Sequence, residues 1–219
     1  MNTARRLSIA AALVALSALA SVLAAPGLPG TVVTHWNAAG RPDGTMARPV
    51  ALAFVPALAA VIVGLLAVVP RIDPRRARYA AFRSYYDWLI VLVAGFLLVV
   101  HVGTLLFNLG YRFDFALLVL VGVAGLFYYV GVLLPHAEPN WFVGVRTPWT
   151  LESEAVWDRT HALAGRLFKL CALVSLVGLL FGAYAVYFLV VPVLATAAVT
   201  VVYSYVCFER IERRGNATP

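Results

Sequence analysis

The fold class of this protein is decided by residues 167–208, LFKLCALVSLVGLLFGAYAVYFLVVPVLATAAVTVVYSYVCF, in which Lys169 is the only charged residue. As a single helix at about 1.5 Å per residue, these 42 residues would extend about 63 Å, roughly twice the hydrocarbon thickness of a bilayer. The segment must therefore fold back on itself. We expect the turn at residues 182–187, with Pro192 tolerated near the start of the second helix.

Earlier apolar runs in the chain are also long enough to cross a bilayer. They extend from Leu7 to Ala25, Val50 to Val69, Trp88 to Phe107 and Phe115 to Leu134. Because 63% of the residues are hydrophobic and 12% are charged, an ordinary water-soluble domain is excluded. We predict an all-α fold, a polytopic membrane helical bundle with six transmembrane helices. The first run also has the pattern of a cleaved signal peptide, but we expect a retained helix because five more spans follow.

The distribution of cationic residues predicts the orientation of the bundle. Of the 17 Lys and Arg residues, only Arg41, Arg48 and Arg112 fall on one side of the predicted membrane, and the other fourteen fall on the opposite side. We therefore expect a multi-pass protein of the cell membrane with both termini in the cytoplasm. Contact with anionic lipids of the bilayer accounts for the net charge of +7, so no direct nucleic-acid partner is expected.

This topology divides the chain into units. Residues 1–70 form an N-terminal two-span unit with an extracellular loop, and residues 71–87 form a basic cytoplasmic linker. Residues 88–208 form a four-span unit whose cytoplasmic loop covers residues 140–166. Residues 209–219 form a basic cytoplasmic tail.

The extracellular loop of the first unit contains a short extended piece, TVVTHW, followed by turn-forming residues. We select His35, Trp36, Asn37, Gly40 and Asp43 as candidate ligand-binding residues. Trp36 could instead anchor the loop at the lipid headgroups. His35 and Asp43 alone are too few ligands to predict a metal site.

The cytoplasmic loop, residues 140–166, has its own local signals. Gly144 permits backbone conformations that other residues resist, and Pro148 keeps Thr147 out of the helical region. Thr147 or Thr150 can then cap a helix that extends to Gly165.

Within that helix, Trp157, His161 and Gly165 recur at intervals of four residues and share one face. Its tryptophan and mixed charges favour a helix lying at the cytoplasmic interface before the fifth span.

Inside the membrane, His101, Thr104 and Asn108 form a polar stripe along the third span. Ionisable residues at such positions are candidates for function. A neutral histidine that hydrogen-bonds across helices is the alternative, and the absence of a carboxylate partner within the membrane favours it.

Motifs of common enzymes are missing from the sequence, which has no HExxH, no phosphate-binding glycine loop and no GxSxG turn. His136, Glu138, Asp158 and His161 share the cytoplasmic loop, but their spacing matches no metal-ligand pattern. We expect no enzymatic activity, no metal site and no cofactor.

The segment NWFVGVRTPWTLESEAVWDRTHALAGRLF, residues 140–168, closely resembles the signature segment of the SdpI family of membrane proteins. The matching positions are Gly144, Arg146, Thr147, Pro148, Trp149, Thr150, Trp157, Thr160 and His161. The outer loop LPGTVVTHWNAAGRPDG, residues 28–44, resembles the N-terminal domain of unknown function that precedes this signature, with its H-W-N and G-x-P-D elements. Together with the flanking spans, the resemblance covers most of the chain.

This resemblance implies immunity against, or sensing of, an extracellular toxic peptide, with a cytoplasmic repressor as a further partner. The residues themselves leave two alternatives open. One is a small transporter or channel that uses the polar stripe around His101, and the other is a structural subunit of a membrane complex.

Overall fold

The structure is a computed structural model and describes residues 1–37 and 39–215; residues 216–219 of the predicted basic tail lie outside the described residues. Its helices are α1 (Thr3–Ala24), α2 (Arg48–Ile72), α3 (Tyr79–Asn108), α4 (Phe115–Leu133), α5 (Pro148–Glu152), α6 (Glu154–Gly178) and α7 (Ala185–Gly215). All of them except α5 are long and apolar enough to cross a membrane, which confirms the predicted six spans.

The outward faces of these helices are strongly apolar. Leu23 is 72% exposed, Leu65 is 63% exposed and Leu194 is 63% exposed. Water would make such a continuous apolar surface unfavourable, whereas lipid tails accommodate it. The protein is therefore a multi-pass membrane protein.

The long apolar run folds into α6 and α7, which pack side by side in opposite directions. The chain reverses in a 3₁₀ segment, Leu179–Tyr184, in which Gly182 has a φ of 52°. This positive φ is in a region that favours glycine. The predicted reversal is confirmed, but it lies about three residues earlier than predicted, since residues 185–187 already belong to α7. Helix α7 contains Pro192 close to its start.

Glycine permits close packing where α4 crosses α6. A Cβ atom on Gly131 would lie 2.7 Å from the carbonyl oxygen of Gly165, and one on Gly165 would lie 2.9 Å from that of Gly131. Small residues bring helices together in this way in membrane proteins, where dispersion contacts drive association. On the other side of the bundle, α3 packs against α1 through a core that includes Ala10, Tyr86, Ile90 and Ala94.

A structured connection lies at each end of the bundle. Strands β1 (Thr31–Trp36) and β2 (Pro42–Ala47) form an antiparallel hairpin at what we call the hairpin end. The opposite end, which we call the motif end, holds residues 137–153 and the first turns of α1 and α3. The sequence predicted the extended piece that is now β1 but not its partner strand. The cytoplasmic location of the motif end stays a prediction.

Two helix boundaries differ from the apolar runs. Helix α3 begins at Tyr79, so part of the basic linker predicted at residues 71–87 is helical. The charges at this start are paired inside the fold, since Arg83 Nε donates to Asp87 Oδ1 at 2.8 Å. Helix α6 runs without a break from the inner loop into the fifth span, and only Ser153 separates it from α5. Whether its first turns lie at the membrane interface stays a prediction.

Candidate functional site

Asn108, the last residue of α3, holds the outer hairpin on the bundle. Its Oδ1 accepts the Val33 N–H at 2.8 Å, and its Nδ2 donates to the Val33 carbonyl at 2.9 Å. The amide therefore pairs with β1 as a neighbouring strand would. Asn108, predicted as part of an intramembrane polar stripe, anchors the hairpin to the third span.

Asn37 and Gly40 build the turn of the hairpin. Asn37 Oδ1 accepts the backbone N–H groups of Ala39 at 3.0 Å and Arg41 at 3.1 Å, as in turns where an asparagine side chain replaces a backbone group. Gly40 has a φ of 72° and donates its N–H to the Asn37 carbonyl at 2.9 Å. These contacts give both residues a clear structural role.

His35 and Asp43 form a pair across the two strands. His35 Nδ1 lies 2.5 Å from Asp43 Oδ1, and the side chains are 70% and 41% exposed. Such an exposed pair contributes little to stability. The imidazole and the carboxylate of this pair are instead exposed polar groups on the surface of the hairpin.

Trp36 packs against the bundle. Its ring stacks on Phe115 with centroids 3.7 Å apart and meets Phe107 edge-on at 5.2 Å. The indole therefore joins the hairpin to the start of α4 and the end of α3. Its buried Nε1 has no hydrogen-bond partner among the described residues.

A cavity of about 410 Å³ lies between the hairpin, the start of α4 and the start of α7. The four candidate residues His35, Trp36, Asn37 and Gly40 line it, whereas Asp43 is not among the lining residues. Its other walls are largely apolar, and its polar lining includes Asp114. A cavity of this size and composition is typical of a site for a small ligand or for part of a peptide.

His101 lies away from this cavity and is 1% exposed. Its Nε2 is 2.7 Å from Ser21 Oγ, and that hydroxyl donates to the Leu52 carbonyl at 2.7 Å. Because the serine hydrogen is used on Leu52, the histidine must donate from Nε2. The contact joins α1, α2 and α3, and Thr104 bonds within its own helix to Val100. The observed contacts therefore favour a structural role for this stripe.

At the motif end, His161 and Trp157 form the buried centre of the inner loop. Both are 0% exposed, and their rings stack with centroids 3.9 Å apart. His161 Nδ1 donates to the Trp157 carbonyl at 2.8 Å, and Nε2 accepts the Val145 N–H at 3.0 Å. This pattern requires the neutral imidazole. Trp157 Nε1 donates to the Ala137 carbonyl at 2.6 Å and so holds the preceding loop.

Gly144 is the residue that lets the loop approach His161. Its φ is 116°, and a Cβ atom there would collide with His161 Nε2. The predicted need for glycine at this position is therefore explained by both backbone conformation and space.

Thr147 caps α5 and connects it to α7. It forms a capping box with Thr150, and its Oγ1 lies 3.0 Å from Ser204 Oγ of α7. Trp149 packs on Tyr205 of the same helix, with centroids 5.1 Å apart. Pro148 occupies the first position of α5, where its missing N–H is harmless.

The remaining motif residues differ in exposure. Thr160 is 0% exposed, and its hydroxyl has no partner among the described residues. Arg146 is exposed, donates to the Trp141 carbonyl and forms no ion pair within the described part of the chain. Arg146 is thus the motif side chain with charge available at the surface.

Asp73, Tyr79 and Asn140 form a network that the sequence did not reveal. Asp73 Oδ2 accepts the Tyr79 hydroxyl at 3.2 Å and the Trp141 N–H at 2.9 Å, and Asn140 Oδ1 accepts the Val143 N–H at 2.6 Å. These bonds fix the basic link between α2 and α3 to the motif loop. The available signal was local: an aspartate before proline and an asparagine before a turn are common loop-forming residues.

The four residues considered as metal ligands from the sequence do not form a metal site. They are His136, Glu138, Asp158 and His161. Glu138 pairs with Arg78 at 3.3 Å, and His136 Nδ1 contacts the Val132 carbonyl at 2.9 Å. Across residues 1–37 and 39–215, no three His, Cys, Asp or Glu side chains are grouped so as to hold a metal ion.

Comparisons with known proteins agree with this division into two segments. The model of the SdpI/YfhL protein family matches residues 136–204, and that of a domain of unknown function (DUF1648) matches residues 12–60. The immunity protein SdpI of Bacillus subtilis (strain 168) is 24% identical over 201 residues, which cover 91% of this chain and 94% of that protein. No solved structure matches the chain significantly.

The fold and the site define a six-span helical membrane protein with a cavity-forming hairpin at one end and a locked loop motif at the other. Residues 136–204 are thus similar to the SdpI/YfhL protein family, and most of the chain is similar to the Bacillus immunity protein SdpI.

Proposed function

We propose that this protein provides immunity to an extracellular toxic peptide, or senses such a peptide, at the cell membrane. The observation that carries the proposal is the cavity of about 410 Å³ formed by the hairpin. The name of the Bacillus relative, an immunity protein, supports a membrane role of this type. The excess of Arg and Lys at the motif end supports an outward-facing hairpin.

The chemistry of the cavity suits part of a peptide. Leu120, Val186 and Leu189 supply apolar walls that would accept a hydrophobic side chain. Asn37 and Asp114 supply polar groups that would meet a peptide backbone or a basic group.

The motif end would stabilise or transmit the peptide-bound conformation, because α4 and α7 extend from the hairpin end to the motif end. The first turn of α7 lines the outer cavity, and Ser204, further along the same helix, contacts Thr147 of the motif end. A ligand that shifts α7 would therefore act on the motif loop through a packed helix. A cytoplasmic repressor that responds to this loop is part of the proposal.

We propose no catalytic activity for this protein, since the candidate residues serve structural or binding roles. The burial of His101 between packed helices does not favour a transporter or channel that uses the polar stripe.

Filling the outer cavity is expected to abolish protection. Val186 lines the wall opposite the hairpin, and Val186→Trp would occupy much of the space that a peptide side chain needs. The test is growth of a host sensitive to the killing peptide of this family, comparing cells with wild type, variant and empty vector. We expect wild type to raise the inhibitory concentration about tenfold and the variant to match the vector, as for loss of a well-buried contact.

The matched control is Val191→Trp, which changes a 59% exposed valine on the lipid-facing surface of the same helix. It should protect as wild type does. Sensitivity equal to the vector control in cells with correctly inserted wild-type protein would contradict the immunity role. Protection by Val186→Trp would contradict only the assignment of the cavity.

Replacement of Arg146 is expected to reduce protection or signalling without preventing insertion. The guanidinium is exposed, and among the described residues its hydrogen bond is to the Trp141 carbonyl alone, so Arg146→Ala should leave the fold intact. The measurement is reporter output and survival at equal membrane abundance, with exposed Arg76→Ala as the control. Wild-type behaviour of Arg146→Ala would exclude a signalling role for this charge.

A further inference from the structure

A groove of about 510 Å³ at the motif end shares no lining residue with the outer cavity. Arg159 of α6 and Arg210 of α7 line it, and the apolar residues Ala198, Val202 and Val206 line it along α7. The two helices are antiparallel, since Cys171 contacts Thr196 at 3.0 Å whereas Ser175, one turn later in α6, contacts the carbonyl of the earlier Phe188 at 3.3 Å. The start of α6 and the end of α7 therefore bring both arginines to the same end of the groove.

The two arginines carry charge that the protein does not neutralise. Neither forms an ion pair within the residues that the structure describes. The neighbouring Glu209 is turned toward Arg213, at 3.4 Å. Two guanidinium groups without carboxylate partners are well suited to a phosphate, which accepts several charge-assisted hydrogen bonds. Tyr203 lines the same groove and adds a hydroxyl group.

The apolar part of the groove has the length of an acyl-chain site. From Ala198 to Val206, the helix rises about 12 Å at 1.5 Å per residue. Half of the hydrocarbon core measures about 15 Å, so the trough spans most of one leaflet. Val202 is 62% exposed, so its side chain is available to a lipid chain.

We propose that this groove binds one anionic phospholipid. The phosphate lies between Arg159 and Arg210, and one acyl chain lies along Ala198, Val202 and Val206. Basic pockets between membrane helices recognise lipid headgroups by the same combination of charge and apolar surface. A second copy of the chain is a poorer occupant, because a symmetric contact would bring like charges together. The site is independent of the proposed peptide cavity.

Native mass spectrometry of the full chain tests the lipid site. The protein is released from nanodiscs that contain equal amounts of phosphatidylglycerol and phosphatidylcholine. Wild type is expected to retain one phosphatidylglycerol, and Arg159→Gln with Arg210→Gln should retain at least about tenfold less, since two charge-assisted bonds are lost. The control pair, Arg76→Gln with Arg213→Gln, removes the same charge at the motif end and should retain the lipid.

A second pair of variants tests the apolar trough with both arginines intact. Val202→Phe should reduce retention severalfold by filling the trough, whereas Val191→Phe on the same helix should not. Equal losses in the two arginine pairs would overturn the site in favour of nonspecific attraction. Equal retention of phosphatidylcholine, displacement by inorganic phosphate, or unchanged retention in Arg159→Gln with Arg210→Gln would also overturn it.

Discussion

Gly144→Ala is expected to destabilise the protein by about 3 kcal/mol, because the substitution combines backbone strain with a steric collision. The φ of 116° is in the region that L side chains rarely adopt, and the new methyl group would collide with His161 Nε2. Relief of the collision would move the imidazole away from the Val145 N–H and leave that partly buried donor unpaired. Thermal unfolding in detergent should show a lower Tm, by roughly 10 °C for a chain of this size.

Two controls separate the causes of this loss. Gly125→Ala places a methyl group on α4 where nothing lies within 4 Å, so its Tm should equal or exceed that of wild type. Adding His161→Ala to Gly144→Ala removes the collision but not the backbone strain, so the second substitution should cost less in this background than in wild type. A wild-type Tm for Gly144→Ala would show that the loop does not need this conformation.

The contacts of the inner motif are mainly structural. His161, Trp157 and Thr150 direct their polar atoms at backbone groups of the same loop, and Thr147 reaches the neighbouring α7. Such residues fix one conformation of the loop, in which the charged side chain of Arg146 is exposed at the surface. In the proposed function, the motif would therefore report the position of α7 without contacting a ligand at the hairpin end.

The helices and turns of the fold could be predicted from the sequence because each depends on residues that are close together in the chain. The apolar runs predict the six spans, Gly182 marks the turn before α7, and Pro148 predicts the extended Thr147 that caps α5. For the outer loop, the sequence selected His35 and Trp36 as candidate ligand-binding residues, and both line the cavity.

The remaining features depend on residues that are distant in sequence. The cavity exists because the hairpin lies next to the starts of α4 and α7. The segment TVVTHW contains no signal that predicts this packing. Asn108 looked like an intramembrane polar residue, yet its partner is Val33 in the first loop. Likewise Asp87 looked like the end of a basic linker, and its partner Arg6 lies in the first helix.

Asp87→Asn is expected to destabilise the protein by about 3–5 kcal/mol, the range for removal of one partner from a buried ion pair. Asp87 is 0% exposed; its Oδ1 accepts Arg83 Nε at 2.8 Å, and its Oδ2 lies 3.7 Å from Arg6 Nη1. The second distance is too long for a hydrogen bond, so Arg6 acts through charge attraction and through its 2.8 Å bond to Ser84. The amide would leave two cations near each other without a counter-charge. Unfolding in detergent, monitored by Tm, measures the loss.

The position of this cluster explains why the loss should be large. Asp87 joins the starts of α1 and α3, so its charge holds the N-terminal two-span unit against the centre of the bundle. Asp158→Asn removes an exposed carboxylate on α6 and should change the Tm very little. Arg6→Gln added to Asp87→Asn should recover part of the stability, since it removes one uncompensated cation, and a double-mutant cycle would give the coupling. Purely additive losses, or equal Tm values for the two Asp→Asn variants, would mean that α1 is held by apolar packing alone.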